Sequence, residues 1–250
     1  MEVHAHTHTP RKKWTHYFWE FLMLFLAVFC GFLAEYQLEH KIEKEREKYY
    51  AKTLYEDIKV DTLRLGNIIR ECQFVIPKID TFRLLVHTKD IEAVPPGTWY
   101  YFGRFGTRNF QVSLQDATLQ QLLGSGGLRY FRKQNVVYTI ASYEQALLQM
   151  RANIESVQQE YIEMVKARNQ IFDAYYLDEV MDLDISIDKI DSFKQKEIPL
   201  LSNKKTDFIQ YANFCQIRSF NQKFLQGAME QALKMADNLL ALLKKEYELK

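Results

Sequence analysis

Apolar and polar positions divide the chain into one continuous apolar block near the N-terminus and several long stretches of helical periodicity. Residues 21–34 read FLMLFLAVFCGFLA, without one polar side chain. Extended to Tyr17 and Leu38 the block holds 22 residues. At helical rise that is roughly 33 Å, which matches a hydrocarbon core of about 30 Å. Trp14, Tyr17, Trp19 and Tyr36 stand where an aromatic belt belongs. A cleaved leader is the rival explanation, but Phe32-Leu33-Ala34 puts a ring where cleavage needs a small residue, and Phe29 does the same before Cys30. The pattern predicts an uncleaved transmembrane helix over 17–38, preceded by a basic, histidine-containing tail over 1–16.

Beyond residue 39 the pattern becomes amphipathic. Ile58, Leu65, Cys72, Ile79 and Val86 recur every seven residues, with Ile68, Val75 and Phe82 beside them. This is a heptad-like stripe of a packed bundle, interrupted by Asp61. Pro77 lacks a donor and predicts a break after about residue 76. Residues 134–177 contain no Gly or Pro and predict one long helix. A last helix is predicted over 206–248. Phe208, Cys215, Met229, Ala236 and Leu243 form one row of it, Ala212, Leu233, Leu240 and Tyr247 its neighbour, and Gln222 and Gln226 soften the middle.

Two stretches escape the pattern. Residues 88–112 open on Pro95-Pro96-Gly97 and continue TWYYFGRFGTRNF, which predicts an irregular aromatic insertion. Rings on a non-helical segment cannot all turn inward. Aromatic and arginine side chains also anchor interfaces, so Trp99, Tyr100, Phe102, Arg104, Phe105 and Arg108 are the candidate partner contacts. The bland alternative is a loop that plugs one end of the bundle. Between the two regions, Ser113 and Asp116 have capping-box spacing, Gly124 is a natural stop and Gly126-Gly127 a tight turn. The second stretch, an acidic linker over about 178–205, begins DEVMDLDISIDKID. Asp182, Asp184, Ser186 and Asp188 share the spacing of a calcium loop. Ile187 replaces its obligatory glycine and Phe193 its glutamate, so a half-buried strand or extended linker is the expectation.

Composition narrows the classes. Hydrophobic residues make up 47% and charged residues 26% of the 250, enough for a real core. Net charge is +1, and the charges alternate in sign, as in Glu43-Lys44-Glu45-Arg46, so no nucleic-acid partner is expected. Three cysteines are too few for a disulfide scaffold; Cys72 and Cys215 could pair or stay free. His4, His6 and His8 alternate in the tail, without the further ligands a metal site needs. No catalytic, phosphate-cradling or dinucleotide motif is present. The chain is therefore read as no enzyme, with no cofactor and no metal.

Within the span, Glu20, Ala27, Gly31, Ala34 and Glu35 share one helical face. Ala27 and Gly31 are a small-xxx-small pair that admits a second helix, and the two carboxylates either face protein or snorkel to water. Arg11, Lys12 and Lys13 precede the span closely, whereas Lys41 alone follows at comparable distance. That asymmetry favours a cytoplasmic N-terminus.

The segment EFLMLFLAVFCGFLAE (20–35) and the stretch DATLQQLLGSGGLRYFRKQNVVYTIASYEQ (116–145) resemble a group of small single-pass membrane proteins of unknown function from Bacteroidota. The resemblance implies a bacterial inner-membrane protein with an extracytoplasmic helical domain, and it implies no active site. The sequence thus predicts an all-α chain: one N-terminal transmembrane helix, then over 39–250 an extracytoplasmic bundle of three to four long helices. Its expected role is that of a membrane-anchored structural or interaction module, assembling with itself or another envelope protein. An extracytoplasmic sensory or ligand-binding bundle is the alternative.

Overall fold

The computed structural model describes residues 13–158, 161–180 and 186–249. The chain is all-helical, and no strand occurs among the described residues. It divides into two compact units, Met1–Tyr50 and Ala51–Lys250. Helix α1, Trp14–Thr88, contributes to both.

In the first unit the helix is long and apolar enough near the N-terminus to cross a membrane, and none of its apolar window is buried. Its rings stack along the helix, Phe21 on Phe25 at 6.3 Å and Phe25 on Phe29 at 5.9 Å between centroids. His16 Nε2 lies 3.1 Å from Glu20 Oε1.

The second unit is built on three long helical arms. The first is α1 from Ala51 onward. The second is α4 (Gln134–Gln158) with α5 (Tyr161–Ile171), and the third is α8 (Lys205–Tyr247). Tyr143 of α4 bonds Asp61 of α1, and Phe172, just past α5, meets Phe82, so these arms run parallel. Lys133, just before α4, pairs with Glu246 at the end of α8, so α8 runs antiparallel to them. Every member of the seven-residue row in α1, from Ile58 to Val86, is buried, as is the row Phe208, Cys215, Met229, Ala236 and Leu243 of α8.

Five sequence expectations are corrected. The helix does not end before Pro77 but runs on to Thr88. An interior proline costs about 3 kcal/mol. Beyond it Ile79, Phe82 and Val86 are each wholly buried, at roughly 1.5–3 kcal/mol apiece, and outweigh that cost. Pro77 itself faces solvent. Lys78 Nζ donates to the Phe74 carbonyl at 3.1 Å, and Thr81 Oγ1 to the Pro77 carbonyl at 2.8 Å.

Residues 88–112 are not wholly irregular, because α2 spans Pro96–Gly103. Its proline opens the helix, where a missing N–H is harmless. Ser113 forms no capping box. Helix α3, Ala117–Gly124, starts after Asp116, and its Thr118 N–H is accepted by Asp57 of α1 at 3.3 Å. The predicted single helix over 134–177 stops at Ile171. Asp173 then caps the short α6, Ala174–Leu177, accepting from Tyr175 N at 3.0 Å, while Phe172 turns into the core at 1% exposure.

The acidic segment, expected as a strand or extended linker, forms a helix after residue 185, α7 over Ile187–Lys194, and then runs without helix over 196–204. Asp182 and Asp184 lie outside the described residues, as do His4, His6 and His8.

Two close approaches fix the small helices. A Cβ on Gly97 would stand 2.0 Å from the Phe193 carbonyl oxygen, and Gly97 N donates to Lys196 O at 3.0 Å, so only glycine lets α2 meet the end of α7. At Gly103 a Cβ would stand 2.6 Å from the Phe172 ring.

Between α2 and α3 the chain returns along α1 as an extended strap. Arg108 bonds Glu71, Ser113 O accepts from Arg64 at 3.1 Å, and Gln115 N donates to Asp61 Oδ1 at 2.6 Å. The α1 partners fall as the strap advances, which makes the two antiparallel. Phe110 is buried and Val112 and Leu114 are half-buried, while Asn109, Gln111, Ser113 and Gln115 face water. The strap thus has strand-like alternation without a sheet.

Candidate interaction surface

The aromatic segment serves the core. Trp99 and Tyr100 are 0% exposed and Phe105 1%. Phe82 and Phe208 pack edge to face on Trp99, Phe172 does so on Tyr100, and Tyr211 joins them, with Trp99 to Phe208 at 5.0 Å and Phe82 to Tyr211 at 5.3 Å between centroids. Trp99 Nε1 donates to Ile91 O at 3.0 Å. Tyr100 Oη donates to Pro199 O at 2.8 Å and accepts from Asp173 N at 2.9 Å. The rings plug the bundle end instead of standing exposed. Of the six candidate contacts, Phe102 and Arg108 keep partial exposure, and Arg104 is buried at 6%, 4.3 Å over the Phe105 ring. Helix formation over 96–103 is the reason: it turns successive rings toward α7, α6 and the core rather than splaying them as a loop would.

In the first unit the face Glu20, Ala27, Gly31, Ala34 and Glu35 lies on α1 as the spacing requires. A Cβ built on Gly31 meets nothing within 4 Å, so there is room for an approaching backbone.

A different surface emerges on the outer side of α4 and α8. The two helices enclose a groove of about 690 Å³ that runs into a second of about 380 Å³, both lined by Gln149 and Gln231. One end carries Tyr138 and Met235, the other Phe224 and Asn153, and Ala141, Ser142, Gln145 and Gly227 lie between. Among the described residues Lys223 is the one charged side chain lining either part, and its ammonium is 2.8 Å from Asp80 Oδ2. The spacing explains the groove: 138, 142, 145, 149 and 153 share one face of α4, and 220, 224, 227, 231 and 235 share one face of α8. From 138 to 153 the groove extends roughly 22 Å. Tyr138 is 69% exposed, and Phe220 and Phe224, whose rings lie 4.7 Å apart, are 54% and 58% exposed.

Electrostatics beneath this surface hold α8 against α1. Desolvation raises the Asp80 pKa, but hydrogen bonds from Lys223 and Ser219 outweigh it and leave the carboxyl below its ordinary range. The two buried thiols are inert. Burial pushes both Cys72 and Cys215 up to about 12, and both are free. Among the described residues no three His, Cys, Asp or Glu gather as a metal site.

The sequence offered a signal for this groove that periodicity in apolar residues does not catch. It is a row of uncharged polar and small residues on the face away from the core, where alternating charge is the norm. No protein-family model, curated protein or solved structure matches the chain.

Proposed function

We propose that the chain is a membrane-tethered module that assembles with a second copy of itself through the outer groove of α4 and α8. The observation that carries this reading is the groove's scarcity of charge over roughly four helical turns, where Lys223 at one end is paired with Asp80, together with the exposed Phe220–Phe224 pair beside it. Exposed rings bordering a charge-poor groove suit protein contact, and glutamine, serine and alanine allow helices to approach without desolvating ions. A copy held in the same membrane is the partner at highest effective concentration. The apolar helix at the N-terminus supplies the tether. In this reading it sits in the inner membrane with its N-terminus in the cytoplasm, supported by Arg11, Lys12 and Lys13 just before the span. Gly31 and Ala27 give the spans a second place to meet.

The test is the mass of the full chain in detergent micelles and its change on Phe224→Glu. Phe224 is exposed, so the substitution leaves the fold intact. The expected result is a dimer for the natural chain and a monomer for the variant. Equal masses for the two would remove the groove from the account.

A further inference from the structure

The bend after α2 gathers arginines in a way the core does not require. Residues 104–109 pass beside α5 and leave a cleft of about 250 Å³ lined by Arg104, Arg108, Arg168, Thr107, Asn109 and Tyr161 together with Phe105. Arg168 comes from α5. Its Nη1 donates to Thr107 Oγ1 at 2.9 Å, and its Nε and Nη2 donate to Asn169 Oδ1 at 3.0 and 2.8 Å, so these acceptors are uncharged. Arg108 gives Nε and Nη2 to a single oxygen, Glu71 Oε1, at 3.0 and 2.7 Å. Arg218 of α8, 3% exposed, stands behind and donates to Arg108 O at 2.6 Å and Asn109 Oδ1 at 3.1 Å, which fixes the loop from below.

Further positive charge crowds the other side of Arg104. Lys78 Nζ sits 3.4 Å over the Phe74 ring, and Lys194 Nζ 4.8 Å over Tyr101. Desolvation, then the charges of Arg104 and Lys194, hold the Lys78 ammonium below its usual pKa. Three guanidinium groups meet one carboxylate, Glu71, around this small open cleft, which leaves net positive charge for an oxyanion. Arg108 is engaged by Glu71, whereas Arg168 spends its donors on neutral Thr107 and Asn169 and can exchange them for a charged acceptor, with the Asn109 amide and the Tyr161 hydroxyl beside it.

We propose that this cleft binds a phosphate group, with Arg168 as its principal charged ligand and the Glu71-paired Arg108 beside it. The site is separate from the α4–α8 groove, so it stands or falls independently of the assembly reading. The shared chemistry is a phosphate mono- or diester or free phosphate, from solution or from a lipid headgroup.

The experiment uses the full chain in phosphatidylcholine vesicles and follows its thermal unfolding midpoint. Inorganic phosphate is titrated against chloride at matched ionic strength, and a parallel arm replaces part of the lipid with phosphatidate. Phosphate should raise the midpoint in a saturable way that chloride does not reproduce. Arg168→Gln removes a charge-assisted donor and should weaken apparent affinity roughly tenfold or more. Arg168→Lys keeps the charge but loses the fork and should fall between, which covers the case where the glutamine variant does not fold. A shift in phosphatidate vesicles without added phosphate, lost in the same variants, would identify a headgroup as the source; a shift with dissolved phosphate alone would identify a soluble ligand. No saturable shift in the natural chain in either arm overturns the proposal. So does a shift equally large in Arg168→Gln and Arg168→Lys, which would reflect bulk ion effects.

Discussion

Asp61 interrupts the apolar stripe of α1, and replacing it with leucine asks whether that interruption is a defect or a fastening. On sequence alone Asp61→Leu completes the heptad and should stabilise the bundle. The structure predicts the reverse. Asp61 is 1% exposed, and its two oxygens accept from Gln115 N at 2.6 Å and Tyr143 Oη at 3.1 Å. The first bond ties the strap to α1 and the second ties α4 to α1. Tyr143 is 1% exposed, so its hydroxyl has no water to turn to, whereas Gln115 lies at the surface. An unsatisfied buried donor costs about 1–3 kcal/mol. Relief of carboxylate burial and the added apolar area return part of this, so a net loss of roughly 2 kcal/mol is expected. For a unit of this size that lowers the midpoint by about 4–8 °C. The assay is thermal unfolding of the full chain in micelles, followed by helical circular dichroism, for Asp61→Leu, Tyr143→Phe and the pair. With the hydroxyl gone the leucine should cost less, so the pair should be less damaged than the sum of the singles, by about 1 kcal/mol. pH gives a second handle. Desolvation raises the Asp61 pKa above its ordinary 3.8, against the pull of Gln115 and Tyr143. The folded chain therefore binds that proton more tightly than the unfolded one. The Asp61 contribution to stability falls as pH rises from the ordinary value through the raised one. The penalty of Asp61→Leu should accordingly be larger below that window than above it. An Asp61→Leu chain as stable as the natural one at neutral pH, with strictly additive singles, would refute the reasoning.

Two further outcomes follow from single groups. Tyr100→Phe keeps the ring but strips both Pro199 O and Asp173 N of their partner, and should cost about 1–3 kcal/mol in the same unfolding assay; no loss would mean that water replaces the hydroxyl. In the apolar N-terminal helix, Gly31→Leu should weaken self-association of the isolated segment in a membrane, because bulk there separates backbones, and unchanged association would leave Gly31 incidental.

The long elements were legible in the sequence because burial wrote them with a helical period. The rows Ile58 to Val86 and Phe208 to Leu243 are core throughout. Their polar interruptions carried meaning that a stripe count discards: Asp61 fastens the strap, and Gln222, wholly buried, donates to Arg108 O at 3.4 Å. The boundaries were misread where tertiary contacts overrode local signals. Pro77 reads as a stop, but the core beyond it outweighs the lost bond. The segment 96–103 reads as a loop because its glycines serve tight contacts, at Gly97 with Phe193 and at Gly103 with Phe172, and not turns. Its rings advertised a surface and form a plug. The α4–α8 groove and the arginine cleft were missed for a different reason; the uncharged row on α4 marks one wall of the groove but not what faces it. Each joins residues far apart in the chain, Gln149 with Gln231 and Arg104 with Arg168, and no local spacing foretells that meeting.

The central claim, assembly of two copies through the α4–α8 groove, is tested most directly by a photoreactive side chain placed at Gln149 in the full-length protein in its native membrane. Gln149 lines both parts of the groove, and Asn67 of α1, exposed but outside it, serves as the control position. The account predicts a crosslinked species of twice the chain mass from position 149, reduced by Phe224→Glu, and none from position 67. Illumination at 149 that yields no product of twice the chain mass, from membranes in which the protein is present and folded, would contradict it.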